Sequence, residues 1–497
     1  MKKYIYLVIT VIALVLYAVT IRGNLGNPTP QQINSTLKSN GQAFETSQER
    51  ARYALILSLT NDHSFAIDNY AALGTPDIGK ANGHYYSFFP PGASILALPL
   101  YLIGIQIGAA QMFTFFISTI FAFLTMLLLV RFALKLKLHW SAALFAAISF
   151  GFATNAWGYS VTFYAHLISA FILLLGLYLT LFLEEKRAGI TAVAVWTLYA
   201  LGVFIDFPNL LIFFPIVLLL TYKTFQVSKN TSTIAIRLDW RYLLAPLIFV
   251  AMMGGYGYYN YVHFGNPTTL SNFLPRVKDV SAIELKTHEA GREATSALKT
   301  RNMLEGFRSF IISDDRGIVR YSPVVLLFIF GIGYLKRKRR IIEISLFSIA
   351  MICLTLYTMF GDPYGGWAFG SRYLIAILPE LCILAAVGLH RFGRDIKSNI
   401  DILVRYVYSI VFIYSAAISL LAPLTTNVIP PKVEGDGLGL RHDYVINLQM
   451  LQYDELNSFF YNHILHGVVN GFTYYYIILA FVVAIGLFAI WYPKKDL

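Results

Sequence analysis

The sequence predicts an all-α, polytopic membrane protein with about twelve transmembrane helices. Three observations predict this fold class: 57% of the 497 residues are hydrophobic, only 13% are charged, and the mean hydropathy is +0.60. Soluble globular chains are about 25% charged. The composition also excludes a disulfide scaffold, because the chain has only two cysteines, and a disordered chain, because its apolar content is too high.

Apolar segments that could cross a bilayer recur along the whole chain. A transmembrane helix needs roughly 20 mostly apolar residues. The segment at residues 92–108 is apolar but contains Pro99, so we interpret it as an interfacial helix, and we interpret the first span as an uncleaved anchor. The predicted spans are residues 4–20, 110–130, 141–154, 162–183, 189–205, 208–222, 242–258, 321–335, 341–360, 372–389, 403–422 and 472–491.

The distribution of charge predicts the orientation of these spans. With a cytoplasmic N-terminus, the cytoplasmic segments, counted together with Glu380 of the span at residues 372–389, hold 22 of the 39 basic and 8 of the 27 acidic residues, a net charge of +14. The exterior segments hold the other 17 basic and 19 acidic residues, a net charge of −2. The positive-inside rule therefore places both termini in the cytoplasm, with the protein in the cytoplasmic (inner) membrane. The basic run Lys336–Arg340 is interpreted as a topology determinant, and no nucleic-acid partner is expected.

This orientation leaves three long exterior segments, residues 21–108, 259–320 and 423–471, where polar chemistry is expected. The cytoplasmic loops are too short for a nucleotide-binding domain, and no GxxxxGK[ST] sequence occurs. We predict a catalytic module over residues 1–390, followed by C-terminal transmembrane helices over residues 391–497.

The first exterior segment is the richest in candidate functional residues. It contains Glu49 followed by Arg52-Tyr53-Ala54, then Asp77, and then a run from Gly83 to Gly92 that includes His84 and Tyr86. The apolar residues that follow Glu49 predict a helix at the membrane surface. Acids, His, Tyr and Arg at this depth suit a site that handles the polar headgroup of a lipid carrier.

These segments, taken in order, resemble the membrane glycosyltransferases of the GT-C fold. The resemblance is to the protein-mannosyltransferase-like and aminoarabinose-transferase-like (family 39-like) branch, and it covers about residues 1–390. Besides the first exterior segment, it rests on three further pieces: Ala153–His166, Asp315–Pro323 and Gly365–Leu374.

The resemblance implies transfer of a sugar from a polyprenyl-phosphate donor to a glycan, lipid or protein acceptor on the exterior face, without a cofactor. An acid of the first exterior loop would act as general base, and either Glu49 or Asp77 fits. The sequence departs from the branch where Phe88 and Phe89 replace a usual lysine. The phosphate-binding role then moves to another cation, with Arg372, Arg52 and His84 as candidates. The full set of predicted substrate and lipid-phosphate contacts is Arg52, His84, Tyr86, His166, Arg316, Trp367 and Arg372.

Several of these residues have structural interpretations that the sequence leaves open. Thr46 and Glu49 fit a capping box, Asp77 could cap a turn, and Arg372 could be an interfacial arginine. Asp206 is expected at a tight turn that water reaches. No dense carboxylate cluster occurs, so a divalent metal ion is not expected.

Two other functions remain open from the sequence. One is a flippase or transporter of lipid-linked glycans. Such proteins usually carry several ionisable residues inside their spans, whereas here Glu380 is the one ionisable residue clearly within a predicted span, which argues against this function. The other is an O-antigen polymerase or ligase, which would share the exterior site and a lipid-linked donor.

Overall fold

α-Helices make up most of the chain in the computed structural model. The basic run Lys336–Arg340 lies outside the described residues except for Arg340, and so do residues 281–302 of the second predicted exterior segment. The structure describes residues 2–35, 43–182, 187–229, 234–238, 242–277, 280, 303–335, 340–360, 364–392 and 398–492.

The long helices in the first half of the chain follow its apolar segments. That half contains α1 (Lys2–Thr20), α2 (Pro30–Ser35), α3 (Ser47–Asn61), α4 (Ala71–Gly74), α5 (Gly92–Ile107), α6 (Ala110–Lys135), α7 (Trp140–Phe152), α8 (Ala156–Ser160), α9 (His166–Leu181), α10 (Ala188–Ile205), α11 (Asn209–Ile212), α12 (Phe214–Thr224) and α13 (Pro246–Phe264). The second half contains α14 (Met303–Ile311), α15 (Ile318–Tyr321), α16 (Arg340–Thr358), α17 (Leu378–Phe392), α18 (Asn399–Leu424), α19 (Lys432–Leu438), α20 (Val445–Gln452) and α21 (Gly471–Trp491).

Strands form two small antiparallel sheets in the described chain. The first sheet has the order β2-β1-β5, and the second pairs β3 with β4. Asn82 and Gly83 join β1 to β2 with φ angles of +50° and +86°, the backbone that a tight two-residue hairpin turn requires. The strands are β1 (Ile78–Ala81), β2 (His84–Ser87), β3 (Phe225–Lys229), β4 (Ile234–Leu238) and β5 (Arg276–Val277).

The helices confirm the predicted fold class, a multi-pass all-α membrane protein. Within the described residues, six helices are long and apolar enough to cross a membrane: α6, α10, α16, the segment Arg372–Phe392, α18 and α21. Four shorter apolar helices occupy further predicted spans, at Tyr4–Thr20, α7, α9 and Asn209–Thr224. The segment Arg372–Phe392, which a 3₁₀-helix (Arg372–Ile377) begins and α17 continues, is the most deeply enclosed of the six.

Two predicted spans differ from the structure. Residues 321–335 do not form a transmembrane α-helix, because a 3₁₀-helix runs over Pro323–Phe330. Its eight residues rise only about 16 Å, about half of a bilayer core. Gly331 follows it and packs so closely on α17 that a Cβ there would collide with the backbone of Leu384. The span predicted at 242–258 begins later, at Pro246, because proline favours the first position of a helix.

The three long segments predicted to be exterior meet at one end of the bundle, which we call the loop end. Strand β5 from the second segment pairs with β1 from the first, so that Ile78 lies opposite Val277. The amide of Lys432 in the third segment donates a hydrogen bond of 3.0 Å to Asp315 of the second. The three segments therefore lie on the same side of the helices, as the predicted topology requires.

A buried ion pair ties the first segment to the end of α18. Arg22 Nη1 lies 2.5 Å from Glu45 Oε2, and the two side chains are only 1% and 3% exposed. Arg22 also donates to the carbonyl oxygens of Pro423 (3.3 Å) and Thr425 (3.0 Å), while Glu45 accepts from the amide of Asn427 (2.9 Å). Each charge is therefore balanced and hydrogen-bonded, which is the condition for burying it at acceptable cost.

Glu45→Ala should strongly destabilise the protein, because it leaves the Arg22 guanidinium buried without its carboxylate. Breaking such a pair from one side costs about 3–5 kcal/mol. The expected result is a clear fall in the unfolding temperature in detergent, followed by circular dichroism. The control is Arg441→Gln, which removes the exposed pair with Asp443 and should change the free energy of unfolding by about 1 kcal/mol or less. Equal shifts in the two variants would contradict the anchoring role of Arg22 and Glu45.

Candidate active site

Four separate elements bring two arginines, a histidine and an aspartate together at the loop end. Arg52 lies on α3, His166 begins α9, Asp206 follows the last residue of α10, and Arg372 begins the enclosed segment Arg372–Phe392. His166 Nδ1 lies 3.9 Å from Asp206 Oδ2, and the charges of both arginines act on Asp206. We call these four residues the Arg–His–Asp cluster.

Aromatic rings surround the Arg–His–Asp cluster. The Arg52 guanidinium carbon lies 4.0 Å from the centre of the Phe89 ring. The His166 ring stacks on Tyr164 with 6.0 Å between ring centres, and the Arg372 guanidinium lies 5.4 Å from the Tyr373 ring centre. Such surroundings exclude water and strengthen the electrostatic interactions within the cluster.

Nitrogen atoms of the cluster are left without hydrogen-bond partners. Arg52 Nε, Arg372 Nε and His166 Nε2 are buried, and none of them bonds to another described residue. The three side chains belong to residues that are only 2%, 4% and 6% exposed. Burying an unpartnered polar or charged group is costly, so these nitrogens are suited to an acceptor supplied by a bound anion.

Burial and the opposing charges set the protonation of the cluster. Burial lowers the pKa of Arg52 to about 10, although the Asp206 carboxylate acts in the opposite direction. Arg52 therefore remains cationic at neutral pH. Burial raises the pKa of Asp206 to about 6, a rise that Arg52 and Arg372 limit. At pH 7 the cluster holds two guanidinium charges against one carboxylate from Asp206.

Arg316 and three glycines shape the backbone that leads to Arg372. Arg316 Nη1 donates to the carbonyl oxygens of Tyr364 and Gly366, and its Nε lies 2.9 Å from Asp315. The positive φ angles in this segment favour glycine. They occur at Gly365, Gly366 and Gly370. The Arg316 side chain is thus engaged with the loop, and it positions the segment before Arg372.

Glu49 forms the capping box expected from the sequence. Its Oε2 accepts from the amides of Glu45 and Thr46, both at 3.0 Å, and Oε1 is left with one long bond of 3.4 Å from the amide of Phe163. Thr46 Oγ1 also lies 2.8 Å from the hydroxyl of Tyr164, next to the Arg–His–Asp cluster. Burial, together with the charge of Glu45, raises the pKa of Glu49 to about 7.

Asp77 lies beside the first turn of the same helix. It accepts from Ser47 Oγ at 2.6 Å, and Arg276 Nη2 on β5 lies 2.9 Å from its other oxygen. Both candidate acids thus flank the start of α3, and the charges of both act on Arg50 between them. In the part of the chain that the structure describes, no group of three or more His, Cys, Asp and Glu side chains could hold a metal ion.

Three other predicted contacts lie outside the Arg–His–Asp cluster. His84 pairs with Asp68 at 2.7 Å and its side chain is 57% exposed. Tyr86 packs against His263, 3.4 Å from the hydroxyl to the ring nitrogen. Trp367 Nε1 donates to Glu434 at 2.7 Å. The substrate contacts of His84, Tyr86 and Trp367 stay predictions.

Asp206 is the member of the cluster that the sequence did not single out. The sequence predicts it at a tight turn that water reaches, and the structure has it directly after α10 with a side chain that is 21% exposed. The sequence did not predict that this carboxylate lies beside His166 and is acted on by the charges of Arg52 and Arg372. One sequence feature could have indicated a role for Asp206: it is a carboxylate directly after an apolar helix and just before Phe207 and Pro208.

No family model and no curated protein sequence matches the chain. Solved structures resemble it: ArnT from Cupriavidus metallidurans in the apo state has 12% identity and a TM-score of 0.48, over 97% of this chain and 76% of that chain. ArnT bound to undecaprenyl phosphate has 14% identity and a TM-score of 0.48, over 97% and 77%. The apo oligosaccharyltransferase of Archaeoglobus fulgidus has 15% identity and a TM-score of 0.44, over 88% and 58%.

ArnT and the oligosaccharyltransferase are both glycosyltransferases of the GT-C fold. With TM-scores below 0.5 the resemblance is distant.

The affinity of the Arg–His–Asp cluster for an anionic lipid should fall as the pH rises through about 6. With its pKa near 6, Asp206 is neutral below this pH, and above it the carboxylate competes for the arginines. We expect a decrease of about tenfold, the effect of roughly 1.4 kcal/mol of competing attraction. The measurement is equilibrium binding of a fluorescent phosphodiester lipid, whose phosphate does not titrate near pH 6.

The matched variants for this titration are Asp206→Asn and Asp68→Asn. Asp206→Asn should bind the lipid with little dependence on pH, whereas Asp68→Asn, which alters the exposed pair with His84, should behave as the unmodified protein. An unchanged pH dependence in Asp206→Asn would show that this carboxylate does not compete with the anion.

Proposed function

We propose that the protein is a membrane glycosyltransferase that moves a sugar from a polyprenyl-phosphate-linked donor to an acceptor at the loop end. The observation that carries the proposal is the pair of buried arginines, Arg52 and Arg372, whose two charges face the single carboxylate of Asp206. An enzyme with such a donor must hold a phosphate beside the membrane surface, and this cluster supplies the cations to do so.

The donor phosphate would bind between Arg52 and Arg372, with His166 as a further donor when the ring carries its proton on Nε2. Guanidinium groups bind phosphate through paired N–H groups, and the Nε atoms of both arginines lack a partner among the described residues. Arg52 also lies next to the interfacial helix α5, where Ser94 Oγ donates to its carbonyl oxygen at 2.9 Å. Helix α5 exposes apolar side chains that suit contact with a lipid chain: Ile95, Leu96, Leu102, Ile103 and Ile107.

The reaction needs one proton acceptor and one charge stabiliser. A hydroxyl or amine of the acceptor loses its proton to a base as its oxygen or nitrogen forms a bond to the anomeric carbon of the sugar. The bond between that carbon and the phosphate oxygen breaks, and the phosphate leaves with the electron pair. Arg52 and Arg372 stabilise the charge that develops on the leaving phosphate.

Glu49 and Asp77 are the two candidate bases. Glu49 is supported by its pKa of about 7, which suits a base at neutral pH, and by Oε1, which carries only the long bond from Phe163. Asp77 is supported by partial access to solvent, since its side chain is 16% exposed, but Ser47 and Arg276 engage both of its oxygens. We favour Glu49 as the base and Asp77 as a positioning residue.

We further propose that the reaction takes place on the exterior face and that residues 1–390 carry it. This orientation is supported by the charge difference between the two sides. The predicted cytoplasmic side has 22 basic and 8 acidic residues, a net charge of +14, and the exterior side has 17 basic and 19 acidic residues, a net charge of −2. Trp367 and Tyr364 lie near the surface of the loop end, where Glu434 and Glu305 bind them, and they suit contact with a sugar or acceptor.

Replacing either arginine should abolish most of the transfer activity. Arg52→Gln and Arg372→Gln each remove one cation from the phosphate, and loss of one such group costs about 10²–10³ in rate. The measurement is transfer of radiolabelled sugar from lipid extract to acceptor in membranes. Arg441→Gln, at an arginine whose side chain is 57% exposed, is the control and should keep full activity.

The same variants separate an enzyme from a flippase. If Arg52→Gln and Arg372→Gln abolish movement of lipid-linked sugar across proteoliposomes that form no glycosylated product, the transport function is supported instead. Full transfer activity in both variants would overturn the proposed phosphate site.

Glu49→Gln should remove the rise of activity with pH. Since the pKa of Glu49 is about 7, the ionised base increases through this range, and the rate should rise with pH from about 6 to 8. Glutamine also fits a capping box, so the helix start is preserved while the base is lost. The measurement is the pH profile of transfer, with Asp77→Asn for comparison. A retained profile in Glu49→Gln, together with a lost one in Asp77→Asn, would assign the base to Asp77.

A further inference from the structure

An apolar groove of about 440 Å³ lies between α1, α7 and α21. It is lined by residues such as Tyr4, Val8, Trp140, Leu144, Ala484 and Phe488. These residues belong to the first half of α1, the start of α7 and the second half of α21. Since α1 ends at the loop end and rises about 1.5 Å per residue, Tyr4 lies roughly 24 Å from that end.

The groove is open at the outer surface of the helix bundle. Tyr4, Val8 and Phe488 are 69%, 44% and 53% exposed, although all three are apolar or aromatic. Both α1 and α21 pack against α7, and the groove lies between them. Its volume falls in the range of about 300–1,000 Å³ that small-molecule sites occupy.

An exposed cation and an aromatic cluster lie at the same end as the groove. Lys137 is exposed and lies three residues before Trp140. The ring of Trp140 contacts Tyr492 with 4.5 Å between centres, and its Nε1 is buried without a partner among the described residues. Aromatic rings and Lys at the end of apolar helices are typical of the headgroup level of a bilayer.

We propose that this groove binds an acyl chain of an anionic phospholipid. The apolar lining fits the chain, Lys137 fits a negative headgroup, and the unpartnered Trp140 Nε1 fits an ester carbonyl. The donor phosphate proposed above binds at the opposite end of the bundle, so an anionic headgroup beside Lys137 would belong to a different lipid. The bound lipid fills the space between the first and last helices of the described bundle and holds both against α7.

The proposal is tested by measuring how strongly brominated lipids quench the fluorescence of Trp140. The protein is reconstituted in vesicles that contain phosphatidylglycerol and phosphatidylcholine, with either lipid brominated at equal mole fraction. The contribution of Trp140 is the difference between the unmodified protein and Trp140→Phe. We expect brominated phosphatidylglycerol to be about fivefold enriched at Trp140, the order expected for a cation near the headgroup.

Two phenylalanine variants on one helix show whether the groove is responsible. Ala484→Phe fills the groove and should remove the difference between the lipids. Ala480→Phe, which is equally exposed on α21 but does not line the groove, should retain it. A third variant, Lys137→Asn, leaves the groove open and should lower the preference for phosphatidylglycerol. Asparagine tolerates the left-handed backbone at this position, where φ is +61°.

Three outcomes would overturn the proposal. Equal quenching by both lipids would show that the groove does not select an anionic headgroup. Relief of quenching by added polyprenyl phosphate would assign the groove to the tail of that lipid. Loss of the preference in Ala480→Phe as well as in Ala484→Phe would place the lipid outside the groove.

Discussion

A charge buried beside a membrane must be balanced, and this constraint organises the loop end. The Arg22–Glu45 pair, at 2.5 Å, holds the first segment against the end of α18. Asp315 in the same way holds Arg316, at 2.9 Å, which in turn binds the glycine segment before Arg372. Each balanced pair therefore fixes irregular backbone that no helix or sheet supports, and the candidate site rests on that backbone.

The Arg–His–Asp cluster differs from these pairs because its positive and negative charges do not balance. Two buried guanidinium groups share one carboxylate, and nitrogen atoms of Arg52, Arg372 and His166 have no partner in the described part of the chain. A ligand with negative charge would remove the imbalance, which is the physical reason for proposing a phosphate. Burial makes the unpartnered cations energetically unfavourable, and it also raises the pKa of Glu49 to about 7. The same physical effect therefore favours anion binding by the cluster and suits Glu49 to act as a base.

Much of the fold could be predicted from the sequence, since apolar runs must form helices where lipid offers no hydrogen bonds. The capping box of Thr46 and Glu49 was also predictable, because it depends on residues three positions apart. The span at residues 321–335 was not, because a run of apolar residues does not distinguish an α-helix from the 3₁₀-helix at Pro323–Phe330. That choice depends on the close packing of Gly331 against α17.

The sequence by itself determined the membrane class, the order of most of the helices and the residue types available at the loop end. Only the tertiary structure decided which of those residues meet. Arg52, His166 and Arg372 come together with Asp206, which the sequence had placed at a turn that water reaches, whereas His84 pairs with Asp68 at the surface. The reason is physical: helix formation follows from neighbouring residues, but the convergence of four segments separated by up to several hundred residues depends on how the helices pack.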